Sequence, residues 1–410
     1  MIPLSLDEVA GLAPGRLERA PWAREVSGVQ IDSRRVVEGD LFVAVGTGAD
    51  FCRHAFARGA AAAVVPDDPL RALASLGSAI RERSSARFVA ITGSMGKTTT
   101  KDILAALCSA QQPTVAAERS YNAELGVPLT VCRCEEDTEI CIVEMAMRGF
   151  GQIAALCAVA RPGIGVVTNV GPVHLEKVGD LAGVVRAKTE LIEALPPGGT
   201  AIVPADFPVA RDDLELVRTG ADVLVESFDP PLLVTSLGTV EVDFTARHLA
   251  ANALSALAAA HALGLEMPAR LDVAFTEWRN QELPLPGGGV LVNDAWNANP
   301  VSVRAALEHL TELAAGRRTI AVLGEMAELG SYSSRGHREV ADSLTELRID
   351  VVVAVGLQAR AYGGRWVATA QEAVEVVEEV FLPGDCVLLK GARAVGLEVV
   401  AEALAAPVRA

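Results

Sequence analysis

The chain has 410 residues, half of them hydrophobic, which is too long for one ordinary domain and indicates two or three, each with its own core. A formal net charge of −16 argues against nucleic acid as a partner, because binding it depends on neutralising many phosphates with lysine and arginine. No apolar run approaches the roughly 18 residues of a membrane span, the N-terminus lacks a basic export region and no Cys-x-x-Cys pair occurs, so we expect a soluble, cytoplasmic protein without membrane insertion.

Residues 1–86 are predicted to form a small N-terminal α/β domain. Short apolar strands are expected at residues 29–31, 40–45 and 64–65, with a helix at residues 54–63. The polar sequence Asp32-Ser33-Arg34 follows the first strand, and its residue types alone indicate a turn with a surface arginine. A charged stretch at residues 81–86 predicts the end of this domain.

An apolar β-type run, Phe88–Thr92, leads into Gly93-Ser94-Met95-Gly96-Lys97-Thr98-Thr99-Thr100, which is typical of a phosphate-binding loop. The glycines let backbone N–H groups converge on an anion, and a helix predicted from about Lys97 to Ser109 directs its N-terminus to the same point. Thr98 is predicted to ligate Mg²⁺. The nucleotide contacts expected from this loop are Gly93, Ser94, Gly96, Lys97, Thr98 and Thr99.

The number of residues between the two glycines of this loop distinguishes it from the general P-loop. General P-loops have four residues between their two glycines, whereas only two separate Gly93 from Gly96. The backbone path must therefore be tighter than in switch GTPases or motor ATPases.

Three later runs, at residues 139–143, 164–169 and 200–203, are apolar throughout. Such runs indicate a mostly parallel sheet covered on both faces, which we place in a central domain at residues 87–285. Ligands of these sheets gather at the carboxyl ends of the strands. Glu144 closes the first of the three runs and is therefore predicted to hold Mg²⁺, directly or through water.

A third α/β domain is predicted at residues 286–410, after a Pro- and Gly-rich stretch at 284–289 that is typical of a linker. It opens with a strand at residues 290–294. Asn299 can cap the next helix, with Pro300 at its first position. Near the end of the chain, Lys390 and Arg393 form either an ordinary cationic surface or a contact to phosphates.

Five motifs in chain order carry a resemblance to a known family: the short phosphate loop, His174-Leu175-Glu176, Ala187-Lys188-Thr189-Glu190, Asp294-Ala295-Trp296-Asn297-Ala298-Asn299-Pro300 and Lys390-Gly391-Ala392-Arg393. Together they resemble the Mur ligase superfamily, and within it the family that adds D-alanyl-D-alanine to a UDP-muramoyl tripeptide. The resemblance implies a monomeric, three-domain α/β enzyme with a P-loop ATPase domain at its centre and a Rossmann-like C-terminal domain.

The resemblance also implies a reaction and its cofactors. The carboxylate of the UDP-muramoyl tripeptide takes the γ-phosphoryl group of ATP to give an acyl phosphate, and the amine of D-alanyl-D-alanine then forms the amide. Two Mg²⁺ ions are expected. By the family match, His174 is a ligand of the second ion, and Lys188 is a metal ligand carried as a carbamate.

Further roles are assigned by the same match. Ser33 and Arg34 are expected near the UDP end of the substrate. The segment containing Asn122 and Glu124 resembles a substrate-facing loop, although Ala123 replaces a second asparagine. Asp294, Asn297 and Asn299 are expected near the adenine and ribose of ATP, with Trp296 in place of a tyrosine, and Lys390 and Arg393 near phosphates or the incoming substrate.

Three alternatives remain at this point. One is another ligase of the superfamily that adds a single amino acid, although no Asp-Asn-Pro-Arg-like motif is found. Another is a P-loop ATPase that acts as a switch or motor, which the loop spacing disfavours. The third is a non-catalytic scaffold homologue, which the intact Lys97, Thr98, Glu144, His174 and Lys188 disfavour.

Overall fold

The computed structural model describes residues 1–173 and 175–405. The chain divides into two compact units, each assembled from separate segments of the chain. The first unit comprises residues 1–169, 185–243 and 251–273, and the second comprises 170–184, 244–250 and 274–410. No helix in the described part of the chain has the length and apolar character to cross a bilayer.

The N-terminal part of the first unit is a small α/β layer, as predicted. Its helices and strands are β1 (Leu4–Ser5), α1 (Leu6–Leu12), β2 (Gly15–Arg19), β3 (Glu25–Val26), β4 (Gly28–Gln30), β5 (Asp40–Val43), α2 (Cys52–Ala57), β6 (Ala62–Pro66) and α3 (Pro69–Arg83). The main sheet has the order β2-β6-β5-β4, so β4 is an edge strand. The helix expected at residues 54–63 is α2 and ends earlier, since Gly59 at a φ of 103° turns the chain towards β6.

The chain continues with the predicted central sheet. Its helices and strands are β7 (Arg87–Thr92), α4 (Lys97–Ser109), β8 (Thr114–Ala116), α5 (Gly126–Val131), β9 (Ile140–Glu144), α6 (Gln152–Ala160), β10 (Ile164–Val167), α7 (Leu175–Val178), α8 (Leu181–Glu193), β11 (Thr200–Pro204) and β12 (Glu215–Thr219). The six strands pair in parallel in the order β12-β11-β10-β7-β9-β8. The carboxyl ends of β7, β9 and β10, which carry the predicted site, are therefore neighbours.

Helix α4 has the predicted bounds for identifiable reasons. Gly96 adopts a φ of 73° immediately before it, a conformation that favours glycine, and so turns the chain from loop to helix. Ile103, Leu104 and Leu107 are spaced along one side of α4 and are buried. This burial fixes the helix and, with it, the loop at its N-terminus.

A small four-stranded sheet that we did not expect from the sequence completes the first unit. It contains β13 (Val225–Asp229), β14 (Leu232–Thr235), β15 (Gly238–Val242) and β16 (Arg270–Leu271), and helix α9 (His248–Ala262) lies between its last two strands in the chain. The strands β13, β14 and β15 pair in an antiparallel manner.

The second unit contains a six-stranded sheet in the order β17-β18-β22-β19-β20-β21. Its helices and strands are β17 (Gln281–Leu285), β18 (Gly289–Asp294), α10 (Pro300–Ala314), β19 (Thr319–Gly324), α11 (Ser333–Glu346), β20 (Val351–Val355), β21 (Arg365–Val367), α12 (Ala370–Val380), β22 (Cys386–Lys390) and α13 (Glu398–Ala405). All neighbours are parallel except β17 and β18.

The linker interpretation of residues 284–289 is wrong. Strand β17 pairs with β18 in an antiparallel hairpin, and the Pro- and Gly-rich residues form its tight turn, Pro286–Gly288. Proline and glycine are common to turns and linkers, so composition alone did not separate the two. The predicted domain ranges 1–86, 87–285 and 286–410 otherwise stay a prediction.

Candidate active site

The loop between β7 and α4 has the backbone of an anion cradle. Gly93 and Gly96 have φ values of 153° and 73°, and no side chain caps the first turn of α4. The first-turn N–H groups of a helix point out of its N-terminus, so they are suited to bind phosphate oxygens. Lys97 folds back over the loop, where its Nζ donates a 2.8 Å hydrogen bond to the carbonyl of Gly93.

Two residues at the end of β10 brace this loop. The side-chain oxygen of Asn169 accepts a 2.9 Å hydrogen bond from the N–H of Met95, and its amide donates to the Met95 carbonyl at 3.0 Å. The Thr168 hydroxyl donates to the same carbonyl at 2.6 Å. The sequence placed Asn169 at a strand end but did not predict this bracing role, which follows from the direct pairing of β10 with β7.

Glu144 ends β9 and is fully buried. Its Oε1 accepts a 2.8 Å hydrogen bond from Nδ2 of Asn122, whereas Oε2 has no hydrogen-bond partner among the described residues. An unpartnered buried carboxylate oxygen is costly unless a cation or donor reaches it. The site therefore fits a hard cation such as Mg²⁺, which prefers oxygen ligands.

Lys188 on α8 is 2% exposed. No described residue pairs with its amino group through a salt bridge or accepts a hydrogen bond from it. Burial lowers the pKa of Lys188 well below its usual range, and the nearby charge of Lys97 lowers it further. The structure thus brings Lys97 and Lys188 together beside the phosphate loop and disfavours the charged form of Lys188.

In the second unit, Lys390 at the end of β22 is buried against the end of β18, which runs parallel to it. Its ammonium group forms a hydrogen-bonded ion pair with Asp294 and donates to the carbonyl of Asn297 at 3.1 Å. The side-chain oxygen of Asn297 accepts a hydrogen bond from the N–H of Ala298 at 2.9 Å. Lys390 therefore ties the end of β18, at Asp294, to the loop that carries Asn297.

An aromatic and cationic cluster lies next to this loop. The rings of Trp278 and Trp296 are stacked with centroids 6.0 Å apart, and the guanidinium of Arg393 lies 4.6 Å from the Trp278 centroid. Arg393 also pairs with Glu398 at 2.6 Å. Trp278 belongs to none of the motifs identified in the sequence, and its contact with Trp296 is visible only in the folded structure.

Asn299 caps α10, as predicted. Its side chain accepts from the N–H of Ser302 at 2.9 Å, the Ser302 hydroxyl accepts from the N–H of Asn299, and Pro300 is the first helical residue. This capping box accounts for the pair Asn299 and Pro300 without a ligand. A nucleotide contact of Asn299 stays a prediction.

Comparison with known protein families gives two matches. The Mur ligase middle domain matches residues 91–260, and the Mur ligase glutamate ligase domain matches residues 278–393. A protein of Mycobacterium tuberculosis (strain ATCC 25618 / H37Rv) named UDP-N-acetylmuramoyl-tripeptide–D-alanyl-D-alanine ligase is 33% identical, over 99% of this chain and 98% of its own. The chain belongs to the Mur ligase family.

Solved structures agree with this assignment. The UDP-N-acetylmuramoylalanyl-D-glutamyl-2,6-diaminopimelate–D-alanyl-D-alanyl ligase of Acinetobacter baumannii has a TM-score of 0.81 to this Mur ligase at 26% identity, and 98% of each chain is covered. The MurF ligase of Thermotoga maritima in complex with ADP has a TM-score of 0.77 at 26% identity, covering 92% of this chain and 96% of its own. The predicted three-domain α/β fold is thereby confirmed.

The residues of this Mur ligase that were expected near the UDP end differ in exposure. The Arg34 side chain is 82% exposed and pairs with Asp32 at 2.7 Å, which resembles the surface turn expected from residue types alone. Ser33 is buried, and its hydroxyl lies 2.9 Å from Nδ1 of His54. Glu124 accepts a 3.2 Å hydrogen bond from Gln152. The substrate contacts of Ser33, Arg34, Asn122 and Glu124 stay predictions.

The predicted metal set of this Mur ligase is Thr98, Glu144, His174 and Lys188. His174 lies outside the described residues. Within the described ranges, no group of three or more His, Cys, Asp and Glu side chains is placed to hold a metal. The set as predicted does not depend on such a group, because it combines one carboxylate and one histidine with a hydroxyl and a modified lysine.

Proposed function

We propose that this chain is an ATP-dependent ligase that joins D-alanyl-D-alanine to a UDP-N-acetylmuramoyl tripeptide in peptidoglycan precursor synthesis. The observation that carries this proposal is the near full-length match, at 33% identity, to a ligase of that name. The braced phosphate loop with Lys97, Glu144 and Lys188 around it agrees with the activity. As in the name of the A. baumannii ligase, we expect a glutamyl residue in the peptide.

The reaction has two steps. An oxygen of the peptide carboxylate forms a bond to the γ-phosphorus of ATP, the bond from that phosphorus to the β–γ bridging oxygen breaks, and ADP leaves. The amine of D-alanyl-D-alanine then attacks the acyl carbon. The tetrahedral intermediate expels phosphate, the nitrogen loses a proton, and an amide results.

The chain contributes mainly position and charge to the first step. The N–H groups of the loop and of the first turn of α4 orient the phosphates, and Lys97 can leave its contact with the Gly93 carbonyl to neutralise developing charge. Glu144 and Thr98 would hold Mg²⁺, with Asn122 fixing the Glu144 carboxylate. When bound, Mg²⁺ would supply neutralisation of the charge on the phosphates of ATP.

We propose that Lys188 carries a carbamate. The buried amino group has no acidic partner among the described residues and is disfavoured as an ammonium, so it is available to add CO₂ with loss of a proton. The product is an anionic oxygen ligand of the kind that Mg²⁺ prefers. An ammonium beside Lys97 and a cation would be repelled by both.

We infer that Asp294 and Asn297 meet the adenosine part of ATP. Lys390 ties the two residues together, and they lie beside the stacked Trp278 and Trp296. Aromatic faces suit a purine base, and a carboxylate suits the ribose hydroxyls. Arg393, next to the same rings, is expected to assist the phosphates or the incoming substrate.

The assay is direct. The protein is mixed with ATP, Mg²⁺, a UDP-muramoyl tripeptide and D-alanyl-D-alanine, and the ligated product is sought by mass spectrometry. We expect ADP release to require both the carboxylate and the amine substrate. Rapid ATP hydrolysis with neither present would instead favour a switch or motor, and ligation of single amino acids in place of the dipeptide would favour another ligase of the family.

We also expect the protein to be a monomer and to be located in the cytoplasm. Gel filtration would check the first expectation and cell fractionation the second.

A further inference from the structure

Two arginines from different parts of the first unit share one carboxylate. Arg35 follows the edge strand β4, Arg133 follows α5, and Glu118 follows β8, which is the edge strand of the central sheet. Arg35 pairs with Glu118 at 2.5 Å, and Arg133 pairs with its other oxygen at 3.3 Å. Arg35 also lies 3.5 Å from the hydroxyl of Tyr121.

These side chains line a cavity of about 100 Å³. Gln30 and Thr130 also contribute to the wall, and Asp32 lines it with its carboxylate already bound to Arg34. The side chains of Arg35 and Arg133 are 44% and 45% exposed, so both guanidinium groups are accessible from solvent. Val29, Ile31 and Leu129 make the rest of the wall apolar, so the accessible guanidinium groups are the part of this mixed cavity that suits an oxyanion.

The charges around this cavity sum to a positive value only when Arg34 is included. The lining itself has two arginines, Arg35 and Arg133, and two carboxylates, Asp32 and Glu118. Because Arg34, outside the lining, neutralises Asp32, the three arginines outnumber the two carboxylates by one. Although burial raises the pKa of Glu118, its hydrogen bond from Arg35 and the charge of Arg133 lower it overall, so the carboxylate stays ionised. A guanidinium has five N–H donors, and the contacts of Arg35 to Glu118 and Tyr121 do not use all of them, so donors are available for a ligand. This local excess contrasts with the net charge of −16 of the whole chain.

The cavity lies close to the proposed reaction centre along the chain. Tyr121 contacts Arg35, and the next residue, Asn122, donates to Glu144. A substrate whose reacting carboxylate lies near Glu144 would therefore bring the groups next to that carboxylate within reach of Arg35. A glutamyl residue has two carboxyl groups and uses one in its link to the next residue, so one free carboxylate lies one residue before the reacting end.

We propose that Arg35, assisted by Arg133, binds a free carboxylate in the peptide arm of the UDP-muramoyl substrate and so positions the reacting carboxylate. This inference rests on the proposed function and deepens it. Glu118 serves as the anchor that holds both guanidinium groups in place. The substrate carboxylate accepts charge-assisted hydrogen bonds from donors that Glu118 leaves free.

The first test measures steady-state kinetics of Arg35→Ala and Arg35→Lys. Arg365→Ala is the matched control, because Arg365 is 45% exposed and pairs with one carboxylate, Glu379, at 2.7 Å. We expect Arg35→Ala to raise KM for the UDP-tripeptide about ten- to a hundred-fold, the scale of losing hydrogen bonds to a charged group, with little change in KM for ATP. Arg35→Lys should recover part of the loss, and an Arg35→Ala enzyme with wild-type KM for the UDP-tripeptide overturns the proposal.

The second test removes the charge from the substrate instead. The altered substrate is a UDP-muramoyl tripeptide whose free glutamyl carboxylate is converted to a carboxamide. The wild-type protein should bind it more weakly than it binds the normal substrate. The Arg35→Ala variant should bind the two substrates equally. If both proteins discriminate equally between the two substrates, the proposal is wrong, and the ion pairs of Arg35 and Arg133 with Glu118 have only a structural role. If Arg35→Ala also weakens inhibition by UDP-N-acetylglucosamine, which carries the diphosphate but no carboxylate, the bound oxyanion is the diphosphate and the proposal is wrong. Failure of the wild-type protein to ligate either substrate would instead overturn the proposed function.

Discussion

Asn122 donates a 2.8 Å hydrogen bond to one oxygen of Glu144 and leaves the other oxygen buried without a partner among the described residues. The amide thus fixes the plane of the carboxylate and directs its free oxygen. A carboxylate held in this way is preorganised for a cation, because no rearrangement is needed when the cation binds. The same contact gives Asn122, predicted as a substrate residue, a structural role in orienting Glu144 as well.

Substituting Glu144→Gln should reduce ligation by about a hundred-fold or more and raise the Mg²⁺ concentration needed for half-maximal rate. The neutral amide cannot balance the charge of the ion, and its NH₂ group competes with the Asn122 amide for position. Initial rates across a Mg²⁺ titration measure this, with Glu379→Gln as a control on an exposed carboxylate. A variant with unchanged rate and Mg²⁺ dependence would show that Glu144 is no metal ligand.

Replacing Lys97 by alanine should lower the ligation rate about a hundred- to a thousand-fold, which is the cost of losing one preorganised donor to transition-state charge. The loop itself should persist, since Asn169 and Thr168 brace it without Lys97. The rate of ADP release is the measurement, and circular dichroism confirms folding. Lys177→Ala, which removes an exposed lysine, serves as the control. A folded Lys97→Ala enzyme with near-normal rate would contradict the phosphate cradle.

The phosphate loop and its sheet could be predicted because their signals are local. Glycines flank a short turn, a continuous apolar run precedes it, and the helix that follows has the predicted bounds Lys97–Ser109. Parallel pairing then places the ends of β7, β9 and β10 together, which brings Asn169 to the loop. The loop and the strand directions could be predicted, whereas the position of β10 next to β7, and with it the contact of Asn169, is a property of the sheet order and was not predicted.

The partners of the neighbouring arginines Arg34 and Arg35 could not be predicted from the sequence. Arg34 and Arg35 are neighbours with identical chemistry, and the motif favoured Arg34. In the structure, Arg34 pairs locally with Asp32, whereas Arg35 reaches Glu118, which lies 83 residues further along the chain. The direction of each side chain depends on the turn after β4 and on a contact with a distant strand, neither of which leaves a local pattern.

Removing the cap of α10 with Asn299→Ala should destabilise the protein by about 1 kcal/mol, because the N–H of Ser302 loses its acceptor. Asn299→Ser should keep most of the stability, since its hydroxyl can accept the same bond. Thermal denaturation of both variants measures the effect. If Asn299 only caps α10, both variants should keep the wild-type KM for ATP at temperatures where they are folded. A raised KM in a fully stable Asn299→Ser protein would indicate the predicted nucleotide contact.

Lys188 should limit the stability of the unmodified protein at neutral pH. Its pKa in the folded state lies below the ordinary value of 10.5, so the unfolded chain binds a proton that the folded chain lacks, and stability rises as pH rises towards 10.5. In CO₂-free buffer without ligands, Lys188→Met should therefore have a higher Tm than the wild type at pH 7, and the difference should shrink as pH approaches 10. A difference that grows with pH would mean that the lysine is charged in the folded state.

A carbamate on Lys188 can be distinguished from an unmodified lysine by rescue with small carboxylates and by labelling with ¹³CO₂. Lys188→Ala should nearly abolish ligation, and acetate or another small carboxylate should restore part of it by occupying the vacated position beside Glu144 and Thr98. Wild-type protein equilibrated with ¹³C-labelled CO₂ should show a carbamate carbon signal by NMR that is absent from Lys188→Ala. The alternative is an unmodified lysine, which burial disfavours as an ammonium because no acidic partner is found for it in the described part of the chain. Ligation by Lys188→Ala at the wild-type rate, or a wild-type protein without the labelled signal in the presence of Mg²⁺ and ATP, would refute the modification.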